Sequence, residues 1–293
     1  MKLLVLGGSG LIGHAIVKKS KNEFDVLTTY YRNSVAIDNV NSFECYFPND
    51  LDKLEEVVKK EKPDVIVNTI GYSNIDFCES NKNNTEMLHV ETTERICNIC
   101  ESNDSKQIFL SSDYVFDGEK GGYSENDIPN PVNFYGLSKL KAEQLILKSP
   151  INTVIRTSVI YDWDYRARFF NSVIKNLQNN QEFKATTDVY NSVTLLDNLV
   201  ESIFKVIKLD QNGIFHVVDS TCMNRYEFAK IIAKKFQLDE KLIKTVSVQD
   251  DSKNIAKRPK NACLNNSKAK KELGLNFGTI EEGVNMVFMK SQL

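Results

Sequence analysis

Short, uninterrupted apolar runs alternate with longer amphipathic stretches through the first half of the chain. The runs are Leu3 to Leu6, Val26-Leu27, Val65-Ile66-Val67, Ile108-Phe109-Leu110 and Val154-Ile155. A strand covered on both faces is continuously apolar rather than alternating, so these five predict buried strands. Between them, Leu11, Ile12, Ala15 and Ile16 mark one helix face, Leu51, Leu54, Val57 and Val58 a second, and Met87, Val90, Ile96 and Ile99 a third. Strand and helix in alternation at these lengths predict an α/β fold with a parallel sheet built of βαβ units. The second half is less regular. Its pattern predicts helices near 167–180, over Leu195 to Leu209, and at 225–236, 267–273 and 279–290. It also predicts a loop at Tyr190-Asn191-Ser192 and one more strand over Gly213 to Val218.

The 293 residues are 41% hydrophobic and 26% charged, which is ordinary for a globular protein and excludes disordered and collagenous classes. With 37 basic against 39 acidic residues, net charge −2, there is no electrostatic footprint for nucleic acid. No apolar run approaches the roughly 20 residues that span a bilayer, so no membrane partner is expected. Gly7 interrupts the first apolar stretch too early for a signal peptide. Six cysteines in a chain of this length do not make a disulfide framework, and a reducing cytoplasm is the expected setting.

Gly7-Gly8-Ser9-Gly10-Leu11-Ile12-Gly13 follows the first strand and opens the first helix. Glycines there allow a tight turn and close approach of a phosphate. The helix-start N–H groups, around Gly7, Gly10, Leu11, Ile12 and Gly13, would hold a dinucleotide pyrophosphate. The second strand, Asp25 to Tyr30, ends near Arg32. A carboxylate at that end would hold a ribose 2′-hydroxyl, whereas an arginine favours a 2′-phosphate, so the expected cofactor is NADP with NAD as the alternative.

The chemistry-bearing segment lies downstream. Ser111-Ser112 ends an expected strand, and Tyr135 and Lys139 stand four apart at the start of an expected helix, on one face. An ammonium beside a phenol favours the phenolate and brings the group closer to working pH. Tyr135 could then exchange a proton with a carbonyl oxygen held by the Ser112 hydroxyl. Tyr-x-x-x-Lys alone is common; the glycine loop and the serine pair give it weight.

With these residues in place, Gly7 to Gly13, Ser111 to Gly118 and Tyr135 to Lys139 resemble the extended short-chain dehydrogenase/reductases. Ser-Ser-Asp-Tyr-Val-Phe-Asp-Gly at 111–118, Arg156-Thr157-Ser158, and Arg258-Pro259 followed by Leu264-Asn265 are similar to one branch, dTDP-4-dehydrorhamnose reductase and its relatives. The resemblance implies an NAD(P)-binding Rossmann domain over 1–160 and a smaller α/β substrate-binding part over 161–293, with about 191–218 returning to the first. It implies reduction of a 4-keto-6-deoxy sugar nucleotide in dTDP-rhamnose biosynthesis. Ser112 takes the hydroxyl role, Tyr135 the acid, and Lys139 the nicotinamide ribose. Asn68, opening Asn68-Thr69-Ile70-Gly71, falls at the cofactor, and Val115 and Arg258 fall on the substrate side. The resemblance also allows a homodimer.

Several positions depart from that pattern. Val159 stands where the reductases carry a base-stacking tryptophan, with Trp163, the only tryptophan, four residues on as the candidate substitute. Ala15 replaces a metal-assisting glutamate, so no metal is expected. The adenine-side acidic motif falls on Phe47, with Asp50 as a displaced candidate, and His89 replaces an asparagine near the Tyr-Lys helix. Cys97 and Cys100 lie within an expected helix and read as packing. Asp76 and Glu79 read as solvated or capping groups. Two further functions fit the same motifs: a nucleotide-sugar epimerase or dehydratase, and an NADP-binding partner protein resembling the regulatory β-subunit of methionine adenosyltransferase.

Overall fold

Six strands run in chain order through the first half: β1 (Lys2–Leu6), β2 (Asp25–Tyr30), β3 (Asn41–Glu44), β4 (Val65–Asn68), β5 (Lys106–Ser112) and β6 (Thr153–Thr157). All but β3 fall on the continuous apolar runs. Leu3 to Leu6 of β1 and Ile66 and Val67 of β4 have no exposed surface, as the runs require. The computed structural model describes residues 1–248 and 255–292. These fold into two compact units. One comprises Met1–Ser112, Phe134–Arg156 and Val200–Phe215; the other comprises Asp113–Asn133, Thr157–Leu199 and His216–Leu293.

The first unit is built on a seven-stranded sheet in the order Gly213–His216, β6, β5, β4, β1, β2, β3. β1 pairs in parallel with β2 and β4, β2 with β3, and β4 with β5. The order reverses between β1 and β4, and in such sheets ligands bind beyond the strand carboxyl ends at that switch. Helices α1 (Leu11–Ser20), α2 (Leu51–Glu61), α3 (Ile75–Ser80), α4 (Lys82–Glu86), α5 (Thr92–Glu101) and α6 (Phe134–Ile146) connect and cover the strands. Leu54 and Val58 of α2 and Ile96 and Ile99 of α5 join Leu4, Leu6 and Ile66 in one core cluster. Ala142 and Ile146 of α6 pack with Phe109 and Val154 in another.

Two expectations change here. β3 carries no strand signal because Asn-Ser-Phe-Glu has no apolar run; it is an edge strand, only partly buried. The third helix stripe also shifts. Residues Met87–Glu91 form a wide π-helical turn between α4 and α5. Within this wider turn Met87 is 40% exposed and His89, rather than Val90, is buried.

In the second unit, Arg168–Gln178, Arg225–Lys235, Ser267–Leu273 and Ile280–Lys290 are helices, each within a residue or two of its apolar pattern. Asn224 with Glu227 and Thr279 with Glu282 form reciprocal capping boxes at two of them. Strand Phe183–Thr186 pairs in parallel with Ile243–Val246. Tyr190-Asn191-Ser192, expected as a loop, is a strand antiparallel to Cys222–Asn224. Its short polar sequence carries no strand signal, and backbone pairing alone makes it one. The strand expected over Gly213 to Val218 ends at His216.

Cys222 and Cys263 form a disulfide, with Cα atoms 5.6 Å apart. A single bridge is not the disulfide framework that the cysteine count argued against, but local pattern did not announce it. Residues 190–192 pair with Cys222–Asn224 on one side, and Tyr190 also bridges to Asn261, which brings two cysteines 41 positions apart together. Cys45, Cys78, Cys97 and Cys100 remain thiols. No helix among the described residues is long and apolar enough to cross a membrane.

Candidate active site

The β1–α1 connection is shaped by what a side chain would strike. Gly7 adopts φ +88°, a conformation open to glycine at little cost. A Cβ at Gly8 would lie 2.0 Å from Thr28 Oγ1, and one at Gly13 would lie 2.3 Å from the Gly7 carbonyl oxygen. Thr29 anchors the turn: its hydroxyl accepts from the Gly7 N–H at 2.9 Å and its carbonyl from the Gly8 N–H at 2.8 Å. Gly10 is the N-cap of α1 and offers no side-chain acceptor. The first-turn amides of Leu11, Ile12 and Gly13 have no partner within the helix. Bare backbone against N–H donors is the cradle a pyrophosphate needs, so the loop fits a dinucleotide. Beyond β2, Arg32 is exposed, with its guanidinium carbon 5.0 Å from the Tyr31 ring centre, and Tyr31 stacks on Tyr46 at 4.3 Å. Asp50 instead closes its own loop, accepting from the Tyr46 N–H at 2.7 Å.

After β4, Asn68 is buried and its Oδ1 accepts from the Ile70 N–H at 3.0 Å, while Thr69 donates to the Leu6 carbonyl at 2.7 Å. These bonds tie the β4 loop to the β1 end. Gly71 then passes so close to α6 and the π-turn that a Cβ there would lie 3.1 Å from His89 Nε2 and 3.2 Å from Lys139 Nζ.

Tyr135 and Lys139 border this point together. The Tyr135 ring meets His89 edge-on, with centroids 5.9 Å apart, and Lys139 Nζ donates to the Leu110 carbonyl at 3.0 Å. Both side chains therefore face His89. Lys139 is buried, which lowers its pKa to about 8, while Cys78 and Glu143 act in the opposite sense. Its ammonium also lies 4.7 Å from the Phe109 ring centre.

His89 organises the surroundings. The Tyr72 N–H donates to His89 Nε2 at 2.8 Å, so the ring proton sits on Nδ1 and is donated to Ser138 Oγ, also at 2.8 Å. The Ser138 hydroxyl in turn donates to the Tyr135 carbonyl. Burial, aided by the Lys139 charge, holds the imidazole neutral by lowering its pKa to about 2. Glu79, which read as a solvated or capping group, caps α6 from α3, accepting from the Phe134 N–H at 2.8 Å. That bond holds its carboxyl below the usual range.

The two serines at the end of β5 go to different fates. Ser111 hydrogen-bonds Glu143 Oε1 in a buried group where Arg156 Nη2 donates to Glu143 Oε2 at 2.6 Å and Nε donates to both oxygens. Side chains alternate along a strand, so Ser112 projects to the other side and is not drawn into the Glu143 group by that geometry. Sequence reading missed the Glu143 ion pair, although Glu143 stands one turn beyond Lys139 and Arg156 lies on β6; nothing in local pattern links them.

In the second unit, Asp113–Val115 forms a single 3-10 turn and Val115 is fully buried. Gly118, at φ +80°, packs against Pro259, so a Cβ there would lie 2.6 Å from the proline ring. Arg258, the neighbouring candidate, is half-buried, and its Nη1 donates to the Ala256 carbonyl at 3.2 Å. Trp163 stacks on Phe236 at 5.7 Å and is partly exposed.

The family description RmlD substrate binding domain matches residues 1–293. The chain belongs to this family. Its RmlD-type relatives include a probable low-salt glycan biosynthesis reductase, Agl14, of Haloferax volcanii, 26% identical over 96% of this chain and 95% of that protein. The β-subunit of methionine adenosyltransferase 2 of Xenopus laevis is 28% identical over 92% of this chain and 82% of its own length. Among solved structures, a hypothetical dTDP-4-dehydrorhamnose reductase from Sulfolobus tokodaii superposes with a TM-score of 0.86 at 33% identity, covering 97% of this chain and 99% of that one. The chain is thus similar both to a protein named as a reductase and to one named as a subunit of a methionine adenosyltransferase.

Proposed function

We propose that the chain is an NADPH-dependent reductase of a 4-keto-6-deoxy sugar nucleotide, related in chemistry to dTDP-4-dehydrorhamnose reductase. The observation that carries this reading is the convergence of Tyr135 and Lys139 on His89 and Gly71, at the end of the sheet that bears the glycine loop. The reduced nicotinamide, when bound, supplies the hydride to the carbonyl carbon. Tyr135 gives its proton to the carbonyl oxygen, and the Ser112 hydroxyl orients that oxygen. Lys139, positive and one turn away, stabilises the phenolate left behind. The first-turn amides of α1 with Gly7, Gly10 and Gly13 hold the pyrophosphate; Asn68 fixes the β4 loop against the cofactor. Arg32, exposed and with no carboxylate partner in the described residues, favours the 2′-phosphate of NADP over NAD. Val115 and Arg258 serve the nucleotide-sugar side. A cytoplasmic setting supplies the reduced cofactor.

The decisive assay incubates the purified protein with 4-keto nucleotide sugars and follows cofactor absorbance with NADH and NADPH in parallel. Stoichiometric NADPH loss supports reduction, whereas product without net cofactor loss replaces it by epimerisation or dehydration. A second reading, an NADP-binding partner subunit, draws on the methionine adenosyltransferase relatives. It gains ground if NADPH binds but none of the keto sugars is turned over.

Two further outcomes are expected. Lys139, with its pKa lowered to about 8 by burial, carries its charge below that pH and loses it above. The charge supports the acid, so kcat/KM for reduction should be flat below about pH 8 and fall about tenfold per pH unit above it. A profile that rises through this range would contradict the role given to Lys139. Gly13→Ala should weaken NADPH binding by about 10-fold or more, because the added methyl meets the Gly7 carbonyl and forcing a methyl into a packed loop costs ~1–3 kcal/mol. Titration calorimetry reads this directly, and an unchanged Kd would remove the loop from the cofactor site.

A further inference from the structure

The second unit contains a largely buried cation without a counter-ion among the described residues. Arg225 opens the helix Arg225–Lys235. Its Nη1 is sealed from solvent and meets no hydrogen-bond acceptor among the described residues. No carboxylate of the described residues forms an ion pair with it, in contrast to Arg156, whose guanidinium is bonded to Glu143. One face of the Arg225 guanidinium is covered by Phe169, with 4.8 Å between the guanidinium carbon and the ring centre, and Phe169 stacks on Phe228. Burial disfavours the charge, while Tyr114 and Asp113 nearby favour it. Asp113 does not close the gap. Its Oδ2 is taken by the Ser158 hydroxyl at 2.6 Å and the Asn191 amide at 2.7 Å.

A buried, unpaired guanidinium is costly, and aromatic contact repays only part of that cost. Such a group persists where something outside the chain completes it. The guanidinium fork matches the oxygens of phosphate better than any neutral group does. Next to Ser158, Val159 holds φ +39°, a conformation that a β-branched residue adopts only under strain, and strain of this kind collects at ligand-binding segments.

We propose that Arg225 is an anion-binding residue that takes a diphosphate oxygen of the nucleotide-sugar ligand, with Phe169 as the platform that orients its fork and Asp113, fixed by Ser158 and Asn191, as the wall beside it. This rests on the reading of the ligand as a nucleotide sugar. Arg225 sits in the start of a helix where a solvated side chain is the ordinary expectation, and the sequence offers no hint of its burial.

The test is calorimetric binding of uridine diphosphate and thymidine diphosphate, with NADPH as a control, to the wild-type protein and to Arg225→Gln and Arg225→Lys. Loss of a charge-assisted bond should weaken nucleoside diphosphate binding by about 10- to 100-fold in Arg225→Gln, with partial retention in Arg225→Lys, which keeps the charge without the fork. The NADPH Kd should stay unchanged. Without ligand, Arg225→Gln should melt at the same temperature as the wild type or above it, since an unpaired buried charge has been removed. Wild-type binding retained undiminished in Arg225→Gln overturns the inference and leaves the reductase reading standing. A lowered melting temperature with NADPH affinity lost in parallel also overturns it, because that is the signature of a structural role. If the wild type binds neither diphosphate, the nucleotide-sugar reading and this inference fail together.

Discussion

Tyr135→Phe is expected to reduce kcat for ketone reduction by about 10²- to 10⁴-fold, the usual contribution of a positioned proton donor. The NADPH Kd should not change, because removing the hydroxyl leaves the glycine loop and the ring's edge contact with His89 in place. KM should move little as well: the proton is needed in the transition state, not for binding. Steady-state kinetics and a cofactor titration on the same preparation separate these quantities. A variant that keeps wild-type turnover would mean that the phenol takes no part, and the partner-subunit reading would replace the enzymatic one. Equal loss of cofactor binding and turnover would point instead to collapse of the Gly71–His89–Tyr135 contacts.

The largest stability effect is expected at Glu143. Glu143 and Arg156 are 1% and 2% exposed, and Ser111 completes the group. Removing one partner of a buried ion pair leaves the other charged and unsolvated, at a cost of about 3–5 kcal/mol. Glu143→Gln should therefore lower the denaturation midpoint by that equivalent. The double variant Glu143→Leu/Arg156→Met should recover most of the loss, because both charges go together. Urea denaturation of the three proteins measures it. A single-variant loss below about 1 kcal/mol would assign the pair the modest worth of a solvent-exposed one. Glu143→Gln also removes a negative charge that supports protonation of Lys139, so its activity should begin to fall at a lower pH than the wild type's.

How much of this was legible depended on whether a residue's partner was near it in sequence. β1, β4 and β5 were readable because burial on both faces leaves an uninterrupted apolar run at their centres. Tyr135 and Lys139 were readable because four positions is one helical turn. β3 was hidden because an edge strand need not be apolar. Tyr190 to Ser192 was hidden because its partner strand lies some thirty residues on. The π-turn at Met87–Glu91 defeated a strict 3.6-residue period, and with it the inward placement of His89. The capping of α6 by Glu79, the Glu143–Arg156 pair and the Cys222–Cys263 bridge all join residues separated by thirteen to fifty-five positions, for which local pattern has no signal.

The order in which the first unit's pieces arrive along the chain constrains any attempt to dissect it. β6 is flanked on one side by β5 and on the other by Gly213–His216, which is translated almost sixty residues later. A truncation that stops near residue 160 would strip β6 of its outer neighbour and leave a row of unmatched amides and carbonyls along an apolar ribbon, the kind of margin on which polypeptides stick to one another. It would also discard Phe204, which packs edge-on against Phe24 at 5.6 Å. An expression fragment meant to carry the nucleotide-binding half alone must therefore bring residues 200–215 with it, by a spliced loop or a circular permutation, rather than end at a single cut.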